Sequence, residues 1–212
     1  MKLYLAPLEG ITNHIYRKAL YECFGGFDKY FIPFIRAKQN LNFSGREKKD
    51  ISPENNQGMY AVPQILTKNA DDFLQTANQL REYGYQEVNL NLGCPSKTVV
   101  TKGCGAGFLD RPEELERFLD KIFSGTDMRI SVKTRLGMED AEGFPHLMEI
   151  YNRFPMEELI IHPRVQKDFY KNIPDLEVFG EAMACSRHPV CYNGDIFSSG
   201  DFRRISERFP DV

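Results

Sequence analysis

Short apolar runs alternate along this chain with longer stretches in which hydrophobic residues recur every three or four positions. The runs fall at residues 3–6, 29–34, 61–66, 87–92, 129–134, 159–162 and 190–193. They are short and apolar on both faces, as strands of a parallel sheet covered by helices should be. The stretches between them carry helix signals. Asn69 is placed to cap a helix with Asp71 and Asp72 in its first turn, where carboxylates suit the dipole. Phe73, Ala77 and Leu80 then share one face. Pro112, Glu113 and Glu114 open a second helix, in which Leu115, Phe118, Leu119 and Ile122 recur at helical spacing. Phe144, Leu147, Met148 and Tyr151 repeat that spacing, and Ser198 or Ser199 begins a last helix through Phe202 and Ile205. These stripes predict core packing.

Repeated strand-then-helix units imply a parallel sheet with crossover helices, either a barrel or an open doubly wound sheet. No Gly-x-Gly-x-x-Gly follows the first strand, which removes support for a dinucleotide-binding open sheet. Polar, chemically capable residues stand instead at the ends of nearly every strand, where a (β/α)8 barrel builds its active site. Seven strands are predicted and a closed barrel needs eight. The expected fold is therefore α/β, a TIM (β/α)8-type barrel truncated before its eighth βα unit, with residues 1–212 forming one incomplete catalytic domain.

Composition narrows this picture. A chain of 212 residues, 42% hydrophobic and 27% charged, can bury one substantial core. No run approaches the ~20 apolar residues of a membrane helix, and the N-terminus turns polar too early for a secretory signal. Five cysteines without regular spacing suit free thiols in the cytoplasm, and a monomer without membrane attachment is expected. The formal net charge of −3 offers no general affinity for nucleic acid, so any RNA contact must use a local basic patch.

The run Asn89-Leu90-Asn91-Leu92-Gly93-Cys94-Pro95-Ser96-Lys97 holds the strongest chemical signal. It delivers a thiol to the C-terminal mouth of a strand. Residues 95–111 then form an unusually long loop containing Gly103, Gly105 and Gly107, a length typical of functional lids or disordered segments. Lys133, within Val132-Lys133-Thr134-Arg135, ends the fifth strand, and burying its ammonium would require an anionic partner. His162-Pro163-Arg164 and Asn193-Gly194-Asp195-Ile196 end consecutive strands, the latter in the loop where barrels often bind phosphate. Gln64, inside an apolar strand, needs hydrogen-bonding partners. The four histidines are scattered and Cys94 and Cys104 form no ligand set with them, so no metal site is expected.

In order and spacing these motifs, with Ala6-Pro7-Leu8-Glu9-Gly10 at the first strand, resemble the tRNA-dihydrouridine synthases, a family of FMN-dependent barrel oxidoreductases. The resemblance spans almost the whole chain, and the Asn-Leu-Gly-Cys-Pro-Ser-Lys run is its most specific part. It implies FMN held by Pro7, Leu8, Glu9, Gln64, Lys133, His162, Asn193, Gly194 and Asp195, with NADPH or NADH as reductant. Cys94 becomes the acid that protonates C5 of a uracil ring. Asn91 becomes a contact to that ring, with Arg135, Arg36, Lys97 and Arg164 on the tRNA substrate. The family's eighth-strand Gly-Arg pair and C-terminal helical tRNA-binding domain have no counterpart in these residues, and Cys104 is an additional thiol in the catalytic loop. Arg36, Lys38, Lys97, Lys102, Arg164, Lys167 and Lys171 all follow strands and are expected to ring the mouth. Two other readings fit the same motifs: an FMN barrel acting on a free pyrimidine, as dihydroorotate dehydrogenases do, and a non-catalytic RNA-binding remnant.

Overall fold

A computed structural model describes residues 2–38 and 42–212. Seven strands form one parallel sheet in sequence order. They are β1 (Tyr4–Leu5), β2 (Lys29–Arg36), β3 (Ala61–Leu66), β4 (Glu87–Leu92), β5 (Arg129–Arg135), β6 (Leu159–His162) and β7 (Val190–Tyr192). The helices are α1 (His14–Cys23), α2 (Gly45–Ile51), α3 (Ala70–Glu82), α4 (Lys97–Val100), α5 (Pro112–Gly125), α6 (Phe144–Tyr151), α7 (Leu176–Cys185) and α8 (Ser199–Arg208). The sheet curls without closing. β1 and β7 are its two edges, and they face each other across a groove of about 460 Å³ lined by Leu3, Tyr4, Val190 and Cys191. This is a TIM-type barrel open where an eighth strand would stand.

The strand register explains how one sequence pattern serves two environments. Asn89 pairs with Ser131 and Asn91 with Lys133, so these residues share the inner face. Val88, Leu90, Leu92, Ile130 and Val132 alternate with them and pack outward with Phe73, Leu80, Leu115 and Ile122 of the helices. The inner face is thus amide-rich in its upper half, where the sequence pattern predicts an apolar one. An inner apolar cluster consists of only Phe31, Val62 and Ile160, with Tyr4 and Cys191 against it. Below it, a polar plug closes the N-terminal end. Lys29 pairs with Glu87 at 3.0 Å and Glu158 at 3.4 Å, while the hydroxyls of Tyr4 and Tyr60 donate to Glu158 and Glu87.

The caps work as the sequence requires. Asn69 accepts from the backbone N–H groups of Asp71 and Asp72, and Ser198 accepts from that of Asp201. Helices α1, α2, α4 and α7 go beyond the predicted set. In α1 the single buried residue is Arg17, which donates to the carbonyls of Thr12 and Asp50 and to the Asn56 side chain, so no apolar stripe marks the helix. The long loop after Cys94 is a further difference. It contains α4 and a 3₁₀ turn, and Val99, Ala106, Phe108 and Leu109 anchor it in the core.

Candidate active site

At the C-terminal ends of the strands lies a cavity of about 820 Å³. It gathers most of the expected site residues: Pro7, Leu8, Glu9, Gln64, Asn91, Cys94, Lys133, Arg135, His162, Asn193, Gly194 and Asp195. Parallel strands deliver these residues to one rim, because every strand ends there.

The cysteine is fixed through its own backbone. The Asn91 side-chain oxygen accepts from the N–H of Gly93 at 3.1 Å and of Cys94 at 2.9 Å. Three successive carbonyls are then held by three different segments. Arg135 Nε donates to Gly93 at 3.0 Å, the Ala106 N–H to Cys94 at 3.1 Å, and Gln166 Nε2 to Pro95 at 2.8 Å. The thiol is half-buried, and burial pushes its pKa up, with Glu9 adding to that and Arg36 and Arg135 opposing it. It is therefore neutral at physiological pH and carries a proton.

Behind it runs a chain of amides. Asn89 donates to Ser131 at 2.9 Å, Gln64 to Asn89 at 2.7 Å, and Asn91 to Gln64 at 2.6 Å. Gln64 and Asn91 thus find their partners in each other. The side-chain oxygen of Asn91 is committed to the cysteine loop, and each side-chain NH₂ retains one further hydrogen.

Lys133 is different. It lines the cavity, and its ammonium has no hydrogen-bond or ion-pair partner among the described residues. Burial, aided by the nearby Arg135, lowers its pKa to about 8. An anion in the cavity would relieve both effects.

His162 is buried and its pKa falls to about 3, first through burial and then through the charges of Lys133, Arg135 and Arg164. Arg164 Nη1 stands 3.3 Å from Nε2, and arginine only donates, so the imidazole proton is assigned to Nδ1, which faces the Asn193 oxygen at 3.3 Å. The ring is neutral and fully oriented.

Several of the expected site residues take partners within the protein itself. Arg164 is buried rather than on the rim, and it grips Asp195 with two bonds of 2.8 and 2.5 Å. That pairing answers the problem of an acid in a phosphate-type loop: the carboxylate is turned to Arg164, which holds its pKa low. The N–H groups of Gly194 and Asp195 donate to no described residue. Arg135 is also buried, donating to Gly93, Val165 and Phe169 carbonyls, with the Tyr170 ring 5.2 Å from its guanidinium. It holds the loops that frame the cavity. Lys167 faces Glu139 at 3.8 Å. Arg36 and Lys97 lie outside the cavity, Lys97 exposed on α4. Gln166 and Tyr170 belong to the site without being expected there. Tyr170 stands out only as an exposed aromatic within a charged loop, and Gln166 carries no sequence signal at all.

Among the described residues no group of three or more histidine, cysteine or acidic side chains could hold a metal ion, and no helix is long and apolar enough to cross a membrane.

Fold and cavity together define an incomplete parallel β/α barrel with a polar cavity at the C-terminal rim of its sheet. An old yellow enzyme homologue from Zymomonas mobilis shares this fold, with a TM-score of 0.68 and 10% identity over 100% of this chain and 82% of that one. A family model described as "Dihydrouridine synthase (Dus)" matches residues 4–209, and the chain belongs to that family. It is 29% identical over 214 residues to a tRNA-dihydrouridine(16) synthase of Pseudomonas syringae pv. tomato, covering 98% of this chain and 67% of the relative. The corresponding protein of Pseudomonas putida is 30% identical over 215 residues, with 98% and 66% covered. A tRNA-dihydrouridine synthase B of Pasteurella multocida is 24% identical over 199 residues, with 93% and 59% covered. The chain spans about two thirds or less of the length of these relatives.

Proposed function

We propose that this chain is the catalytic barrel of a flavin-dependent tRNA-dihydrouridine synthase, which reduces the C5–C6 bond of a uridine in tRNA. The observation that carries the reading is a protonated thiol and an unpartnered ammonium on one cavity large enough for two stacked flat rings. A flavin fits the residues present: Lys133 supplies charge for an electron-rich ring, Gln64 and Asn91 supply amide hydrogens, and Gly194 and Asp195 supply backbone donors for a phosphate. FMN, reduced by NADPH or NADH, would bring hydride to C6 of the uracil.

The protein's part is to position and to protonate. Cys94 donates its proton to C5 as negative charge develops there, acting as a general acid and not as a nucleophile. Burial keeps the thiol protonated for that step. Asn91, Arg135 and Gln166 fix the loop that aims it. The base must leave its stack to reach the cavity, and the exposed rings of Tyr170, Tyr16 and Phe197 line the entrance where stacking would compensate. A tRNA substrate and five free thiols both favour the cytoplasm as the enzyme's compartment.

The test is dihydrouridine mapping by mass spectrometry on tRNA from cells lacking this gene, complemented with wild type or Cys94→Ala. Position 16, for which the first relatives are named, is the site to read first. Wild type should restore the modification and Cys94→Ala should not. Purified enzyme that reduces only free uracil or dihydroorotate-type pyrimidines, and never tRNA, would end the RNA reading.

A further inference from the structure

On the β6–β7 side of the rim Arg164 is committed to Asp195, Lys167 lies 3.8 Å from Glu139, and Lys171 is exposed. On the β3–β4 side, cations gather round a single turn, residues 102–105, beside the cysteine loop. The Lys68 ammonium lies 3.4 Å, and the Arg111 guanidinium 3.5 Å, from the point where a Cβ of Gly103 would sit. These two charges are therefore within about 7 Å of each other, the sum of the two distances. Lys102 precedes Gly103 in the same turn, and Lys68, Arg36 and Lys102 all act electrostatically on the neighbouring Cys104 thiol. Lys68, Lys102 and Arg111 are exposed. Among the described residues only Arg111 of these has a carboxylate partner, Glu114 at 3.5 Å, and that pair is itself about half exposed and weak. Arg36 reaches back towards the cavity, 5.2 Å from the ring of Phe34, which lines it.

Like charges gathered this closely repel unless an anion joins them. The protein is acidic overall, with a net charge of −3, so this cluster is not a sample of a generally basic surface.

We propose that Lys68, Lys102 and Arg111, with Arg36 on the cavity side, form the clamp for the phosphodiester backbone of the RNA beside the target nucleotide. The strand enters over the β3–β4 rim, and the target base turns from there into the cavity past Cys94. The Gly103 turn holds the clamp together: its φ of +68° suits glycine, and the Lys68 and Arg111 side-chain ends both approach it at ordinary contact distance. This inference rests on the proposed tRNA substrate and adds where the RNA lies.

The experiment measures tRNA binding by fluorescence anisotropy across a salt series, for wild type and the triple variant Lys68→Glu, Lys102→Glu, Arg111→Glu. Arg187→Glu, an exposed position just before β7 at the opposite end of the barrel, is the control for charge alone. Flavin content and NADPH consumption with oxygen as acceptor report whether the fold and the cavity survive. The triple variant should bind tRNA at least ~10-fold more weakly, and its salt slope should fall by about two to three, because each phosphate contact contributes ~0.7–0.9. Its NADPH consumption should match wild type. Binding within about twofold of Arg187→Glu, or a wild-type protein that does not bind tRNA, overturns the clamp. A wild type that binds tRNA through this patch yet never forms dihydrouridine would leave the clamp standing and sink the enzymatic reading. Should the triple variant lose its flavin, the three single substitutions decide, each expected to lower the slope by about one.

Discussion

Lys133 and His162 are both cationic residue types drawn below their usual pKa by burial, and they make opposite predictions. Lys133 titrates near 8 in the free protein, and a bound anion would raise that value. Flavin affinity should therefore be flat with pH up to about 8 and weaken above it, as the free protein sheds the proton that the complex keeps. Fluorescence titration of FMN from about pH 6 to about pH 10 checks this, and Lys133→Met should abolish the pH dependence together with most of the affinity. His162 concerns stability instead. The unfolded imidazole takes a proton near 6.5 and the folded one only near 3, so the unfolded state gains protons first on acidification. The protein should be fully stable on this account above pH 6.5 and lose stability as pH falls towards 3. The loss is on the order of 3–5 kcal/mol, since each tenfold difference in proton affinity between the two states is worth ~1.4 kcal/mol. His162→Asn should flatten that limb of a urea-denaturation series, and an unchanged limb would exclude the histidine as its origin.

At the scale of elements, the loop from Gly93 to Pro112 works because other segments hold it. Its glycines suggest a mobile lid; the structure shows an anchored one. A Cβ on Gly105 would come within 2.8 Å of the Cys94 carbonyl, and its φ of +56° already disfavours any other residue. Gly105→Ala should displace the cysteine loop and cut dihydrouridine formation ~10-fold or more, while flavin binding and its reduction by NADPH stay near wild type. Arg135→Lys tests the other anchor. A lysine cannot reach the carbonyls of Gly93, Val165 and Phe169 together, so kcat for tRNA should fall with little change in NADPH consumption. Equal losses in both half-reactions would indicate damage to the cavity as a whole.

Across the whole molecule, the two ends of the barrel divide the labour between function and stability. The cavity end holds a charge without a partner, and the opposite end holds Lys29 between the buried carboxylates of Glu87 and Glu158. Glu158 already has its pKa raised, chiefly by burial. Lys29→Met would leave two buried acids facing each other and should destabilise the protein by about 3–5 kcal/mol, read as a lowered Tm. The KM for tRNA of the fraction that remains folded should not change. A fall in tRNA affinity without loss of Tm would mean that the plug is part of the RNA surface.

By itself the sequence determined the order of strands, the residues at their C-terminal ends and the caps of α3 and α8, because these follow from runs, spacings and local hydrogen bonds. Strands β3, β4 and β6 begin and end where their apolar runs do. Membership of a barrel family was legible for the same reason: a contiguous motif such as residues 89–97 carries its chemistry along the chain. Only the tertiary structure decided which partners the polar residues take. That Gln64 binds Asn89 and Asn91 depends on the register between β3 and β4, although the hold of Asn91 on the cysteine loop is itself a local turn. That Arg164 leaves the rim for Asp195, and that Lys68 and Arg111 converge on the glycine beside Lys102, depends on how loops distant in sequence fold over one another. Hydrophobic periodicity records which face of an element is buried. It holds no record of the neighbour across a gap, and at this site that neighbour sets each charge.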